Sequence, residues 1–201
     1  MARLLATLLT LWMCGATLVA CSEPVEPPEA AASASGVEYN KKLHDQLLGM
    51  LKRDQNERTG GPLGEGDEAR TERLKQIVDR HGWPTYDLVG EDGEDAAWAI
   101  AQHSDYDLAF QQRALKLLRA AVAEGQASPG NLAYLEDRVA VAQGKPQSYG
   151  TQIGCGPDGG ARPATPIKDR AGVEERRKAA GLDPLVDYLA EMTAICSQDN
   201  Q

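Results

Sequence analysis

Residues 107–125 read DLAFQQRALKLLRAAVAEG. Phe110, Ala114, Leu117, Leu118, Ala121 and Val122 recur at three- and four-residue spacing, which lines one stripe of an α-helix. Asp107 supplies a carboxylate to cap its first turn, and Gly125 accepts the left-handed backbone that stops it. The same grammar extends upstream. Asp92 predicts a cap for a helix through Ala96, Trp98, Ile100 and Gln102. Leu74, Ile77 and Val78 mark another, ending at His81-Gly82-Trp83-Pro84, where proline forces extended or turn backbone. Leu43, Leu47, Met50 and Leu51 share the face of a first helix, followed by a glycine-rich loop over 60–66.

Downstream, Ser128-Pro129 is an N-cap with proline at the first helical position, for a helix over Leu132, Leu135 and Val139 to Gly144. Residues 145–167 break the helical pattern. Ser148 to Ile153 reads as a strand, Asp158-Gly159-Gly160 as a turn and Ala161 to Ile167 as a return. In that strand Gln147, Tyr149 and Thr151 would face one side and Gln152 the other. Asp169 predicts the cap of a helix ending at Gly181. Asp183-Pro184 opens a last one with Leu185, Leu189, Met192 and Ile195 inward. The expected fold is mainly α: a single domain over 37–201, with about seven helices and one small β-hairpin near 148–167.

The N-terminus reads as an address rather than as fold. Arg3 precedes an uncharged apolar run from Leu4 to Ala20, the layout of a secretory signal. Leu18-Val19-Ala20-Cys21 resembles the lipobox of bacterial lipoproteins, in which the cysteine thiol receives a diacylglyceryl group and further acyl chains. This reading makes 1–20 a signal peptide and Cys21 the lipid attachment site. Residues 21–36 are then a linker rich in Pro, Glu, Ala and Ser, able to reach roughly 50 Å. Ser22 after the cysteine resembles proteins passed on to the outer membrane of a diderm cell, on its periplasmic side.

The formal net charge is −9; removal of 1–20 takes away only Arg3 and leaves −10. So acidic a chain is a poor partner for nucleic acid or anionic surfaces. Besides Cys21, the exported part keeps Cys155 and Cys196, a pair suited to a disulfide in an oxidising compartment. Closing that loop is worth roughly 3–4 kcal/mol in the chain-entropy account.

His81-Gly82-Trp83-Pro84-Thr85, Gln102-His103-x-Asp105, Tyr134-Leu135-x-Asp137-Arg138 and Tyr149-Gly150-Thr151-Gln152 occur in that order. Together with Asp54-Gln55-x-x-Arg58 and Pro166-Ile167-x-Asp169…Arg176-Arg177…Gly181-Leu182, they resemble the uncharacterised bacterial family DUF6624 over most of 45–190. Ser104 stands where that family's pattern usually has alanine. The resemblance implies a shared fold and brings no reaction with it.

No nucleophile elbow, phosphate-cradling loop, H-E-x-x-H or zinc-ribbon spacing occurs, so no cofactor and no metal is expected. His103 with Asp105 or Asp137 forms a candidate base oriented by a carboxylate; the alternative is a cationic imidazole closing a helix C-terminus. Tyr134 and Arg138 share a helix face. Arg138 either offers a carboxylate or phosphate its fork of donors, or pairs internally with Asp137. His81, Gln102, His103, Tyr134, Arg138, Tyr149 and Gln152 are the candidate ligand-binding residues. His81, His103 and Asp105 would make a metal site only if the fold gathered them. His44, among charged neighbours, is expected to face solvent. The leading expectation is a non-catalytic module that binds a small ligand or an envelope protein. The alternatives are a hydrolase built on His103 and an inhibitor or immunity lipoprotein acting through its negative charge.

Overall fold

The computed structural model describes residues 36–62 and 64–199, so Cys21, its lipobox and most of the linker lie outside the described residues. Among the described residues, seven helices and one two-stranded sheet form a mainly helical domain, as the periodicity predicts. The elements are α1 (Lys41–Arg58), α2 (Gly66–His81), α3 (Tyr86–Gln102), α4 (Leu108–Ala123), α5 (Pro129–Ala142), β1 (Ile153–Cys155), β2 (Ala161–Pro163), α6 (Val173–Ala179) and α7 (Leu185–Asp199), with a 3₁₀ turn over Arg170–Gly172 before α6.

Helix α3 is the axis and packs against α1, α2, α4 and α5. Its buried face is small (Ala96, Ala97, Ala99, Ala101, with Ile100), which lets the four neighbours approach closely. Leu43, Leu47 and Met50 of α1, Leu74 and Val78 of α2, Phe110 and Leu118 of α4, and Leu135 of α5 close the core around it. Two caps fall where expected: the Asp107 carboxylate accepts from Phe110 N at 2.9 Å, and Ser128 Oγ from Asn131 N at 3.2 Å.

On the far side, β1 and β2 pair antiparallel and α7 packs over both. The Cys155–Cys196 disulfide ties β1 to α7 with Cα atoms 5.4 Å apart. Among the described residues no helix is long and apolar enough to cross a membrane.

Four expectations are corrected. Asp92 is not the N-cap: α3 begins at Tyr86, breaks at Gly90 (φ 76°, ψ 169°) and restarts just after it, so Asp92 lies in the first turn of the restarted helix, where its carboxylate accepts from Gly93 N at 3.0 Å and also meets His44 Nε2 at 3.1 Å. His44 is accordingly not free in solvent but half-buried between Asp45 and Asp92. Asp169 is no cap either. It takes left-handed backbone (φ 44°) and its carboxylate receives Arg176 Nη1 at 3.2 Å, so α6 starts only after the 3₁₀ turn. On α7, Ile195 is 48% exposed and Cys196 takes the inward place, because the disulfide rotates that face toward β1.

Candidate functional site

The sequence-predicted polar residues separate into two constellations and one outlier. The first is a clasp on α5. Asp137 is fully buried, and its Oδ1 accepts from Ser148 N (2.6 Å) and Tyr149 N (3.2 Å). Its Oδ2 accepts from Thr151 N (2.9 Å) and Thr151 Oγ1 (3.1 Å). Residues 148–152 are therefore no strand; they coil around this carboxylate, and the sheet begins at Ile153. Gly150 makes the coil possible with φ 71°, against Ile167 and Leu185. Gln147 is buried and pairs like backbone with Gln152: its Oε1 accepts from Gln152 N at 2.8 Å and its Nε2 donates to Gln152 O at 3.0 Å.

Gln152 Nε2 in turn donates to Tyr134 O at 3.3 Å. Arg177, buried, donates to Tyr149 O at 2.9 Å and lies over the Tyr188 ring. Tyr134 stacks edge-on between Trp98 and Tyr188. Asp137 spends its carboxylate and Gln152 its side-chain N–H groups on this clasp, and Tyr134 and Tyr149 join it through backbone atoms. This arrangement removes Asp137 as the orienting partner of His103, and as the pair of Arg138.

The second constellation lies at the C-terminal end of α3. Two α3 carbonyls left over there, Ala101 O and Gln102 O, accept from Gln111 Nε2 at 3.3 Å each. The same Nε2 reaches Asp105 Oδ1 at 3.1 Å, and Arg138 Nε stands 3.6 Å from that oxygen. Asp105 is thereby held by Gln111 and Arg138, not by His103. The partner of His103 is Asp54, from the last turns of α1 and 49 residues away: Nδ1 lies 3.0 Å from each carboxylate oxygen. Asp54 is fully buried and also receives Gln55 Nε2 (2.9 Å) and Arg58 Nε (3.2 Å).

Arg58 Nε is also 3.1 Å from His103 Nδ1. A carboxylate is the stronger acceptor, so both N–H groups point to Asp54 and the imidazole carries its proton on Nδ1. Burial first, then the Arg58 and Arg138 charges, push the His103 pKa below its ordinary value, against the pull of Asp54. His103 is the C-cap of α3, and this shift disfavours the cationic form of the ring there. Its Nε2 is left with a lone pair and accepts no hydrogen bond among the described residues.

Arg58 continues to Asp67 Oδ1 (2.8 Å), which also accepts from the buried Arg70 (2.7 Å). Burial opposes the Arg70 charge, but the carboxylates of Glu57 and Asp67 outweigh it and raise its pKa. Glu57, Arg58, Gly66, Asp67 and Arg70 line an open cleft of about 320 Å³. Buried polar atoms without a hydrogen-bond partner concentrate around this end of α3: Gln102 Oε1, Gln111 Oε1 and Arg138 Nε.

The outlier is His81, which lines a separate groove between α1 and α2. Among the described residues no group of three His, Cys, Asp or Glu side chains can hold a metal ion, so His81, His103 and Asp105 form no such site. Trp83, beside His81, is buried and donates from Nε1 to Glu94 Oε1 at 3.0 Å.

A family profile matches residues 62–196. The chain belongs to DUF6624, a family of unknown function. No curated protein and no solved structure matches it. The matched stretch of this DUF6624 chain contains His103, Asp105 and Arg138 but not Asp54 or Arg58. The side chains that orient His103 come from the helix before it. The spacing of Asp54 and Arg58, one helical turn apart, was the signal available for them in the sequence.

Proposed function

We propose that this chain is an envelope lipoprotein, exported by residues 1–20 and lipidated on Cys21. Its helical domain, on the periplasmic side of the outer membrane, binds a small anion that also carries a hydroxyl. The lipobox-like Leu18-Val19-Ala20-Cys21 and the linker after it support the address. The Cys155–Cys196 bond suits an oxidising compartment. Cys21→Ser should abolish incorporation of labelled palmitate; unchanged labelling would end the lipid part of the reading.

One observation carries the binding part: Asp54 holds His103 through Nδ1, Nε2 meets no partner among the described residues, and the charges of Arg58 and Arg138 both act on the ring. A neutral imidazole accepts from a hydroxyl, and a guanidinium fork takes a carboxylate or phosphate. The experiment is a panel of hydroxy acids and sugar phosphates, read by the His103 ring signals in NMR. A ligand of this class should shift them in the wild type, and Arg138→Ala should weaken it. Shifts confined to residues remote from His103 would sink the reading.

The 3.0 Å contact between Asp54 and His103 favours a second reading, a hydrolase with His103 as general base and Asp54 as its orienting group. Turnover of an ester, amide, phosphate or glycan substrate that vanishes in a folded His103→Ala variant would replace the non-catalytic reading with this one.

A further inference from the structure

The groove holding His81 lies at the other end of the α1–α2 hairpin from His103: Leu43 and Asp54 are 11 residues apart on α1, about 16 Å along the axis. Asn40, Lys42, Leu43, Gln46, Arg73, Gln76, Ile77, Arg80 and His81 enclose about 230 Å³. Leu43 and Ile77 are buried and form an apolar floor. The walls are cations and amides, and among the described residues no carboxylate lines the groove, although the chain carries a net charge of −9. Arg73 stands 3.7 Å from Glu65, outside the groove. Lys42 and Arg80 meet no carboxylate within ion-pair distance among the described residues, whereas Lys41, Lys75, Arg113 and Arg119 nearby in the fold or chain all do.

Three cations facing one small cleft repel each other and concentrate positive potential there, in a molecule whose remaining field is negative. The arrangement lowers its energy by taking an anion. A phosphate accepts simultaneously from an ammonium and guanidinium forks. Amides of Gln46 and Gln76 add neutral donors, and the floor has room for a few carbons.

We propose that this groove is a second binding site, independent of His103, which takes a phosphate group with its adjoining hydrocarbon resting on Leu43 and Ile77. The same chemistry belongs to a free organic phosphate and to an anionic phospholipid headgroup. The test titrates the full-length protein calorimetrically with inorganic phosphate and with monomeric dihexanoyl phosphatidylglycerol. Dihexanoyl phosphatidylcholine, a zwitterion of zero net charge, is the control.

The wild type should bind an anionic probe more tightly than the control, with affinity falling as salt rises. Equal affinity for phosphate and phosphatidylglycerol assigns the site to free phosphates; tighter phosphatidylglycerol assigns it to headgroups. Lys42→Glu/Arg80→Glu should weaken binding by about tenfold or more. Both side chains are exposed, so circular dichroism and melting should stay as in the wild type; Arg80→Gln alone, expected to weaken binding severalfold, serves if the double variant does not fold. Arg138→Ala should leave in place the part of the binding that Lys42→Glu/Arg80→Glu removes. The inference fails if neither anion binds, if the double variant binds like the wild type, or if only Arg138→Ala removes binding, which would place the anion at His103.

Discussion

Glu94 is fully buried on α3, with Trp83 Nε1 donating to one carboxylate oxygen at 3.0 Å and Asn131 Nδ2 to the other at 3.1 Å. Burial raises its pKa from the ordinary 4.5 to about 7, against the opposing pull of those two hydrogen bonds. The folded state therefore holds this proton more tightly than the unfolded chain. Stability from it is complete below the unfolded value, falls as pH rises through the window between the two, and is gone above the folded one. The shift corresponds to about 3 kcal/mol in full, and to about 2.5 kcal/mol between about pH 5 and about pH 8.

Other groups titrate in the same range, His44 among them, so the informative quantity is the difference between wild type and Glu94→Gln. Glutamine keeps the shape of the protonated acid and cannot ionise. Urea unfolding should find the two proteins similar near pH 5. Near pH 8 the variant should have gained about 2.5 kcal/mol relative to wild type. A difference that stays constant across this range would refute the buried, proton-binding role of Glu94.

Asp137→Ala should cost at least about 3 kcal/mol in urea unfolding, because the Ser148, Tyr149 and Thr151 donors lose their acceptor in a buried clasp. Gly150→Ala should cost about 2 kcal/mol or more by the same assay, since its Cβ would stand 2.6 Å from Ile167 Cδ1 on left-handed backbone. Reducing Cys155–Cys196 should lower stability by about 3–4 kcal/mol and loosen α7 first, which hydrogen exchange would locate. The His44 pKa is raised by Asp45 and then Asp92. Its contribution is present below the ordinary histidine value and lost as pH rises past the raised one, and Asp92→Asn should flatten that part of the pH–stability curve.

The helical stripes and the Asp107 and Ser128 caps were legible because their causes are local: each needs only neighbours three or four residues away. Asp92 falls inside the first turn after the Gly90 break rather than at its cap, and both it and Asp169 show that a capping-type residue has other uses. One carboxylate is taken by His44 from α1 and the other by Arg176 from α6. The polar residues of 134–152 were picked out as candidate ligand contacts, yet the same residue types serve a buried carboxylate that coils a loop. Composition does not distinguish a polar pocket from a satisfied network; the side-chain burial of Asp137, Gln147 and Thr151 does. His103 was picked out, but Asp105 stood two residues away and Asp54 forty-nine, and nearness in sequence carried no information about which carboxylate the fold would bring.

The state of the His103 ring tests the account most directly. A long-range ¹H–¹⁵N spectrum of histidine-labelled protein at pH 7 should show His103 neutral, protonated on Nδ1 and bare on Nε2, with Asp54→Asn altering that pattern. An imidazolium, or a ring protonated on Nε2, would contradict the proposed site.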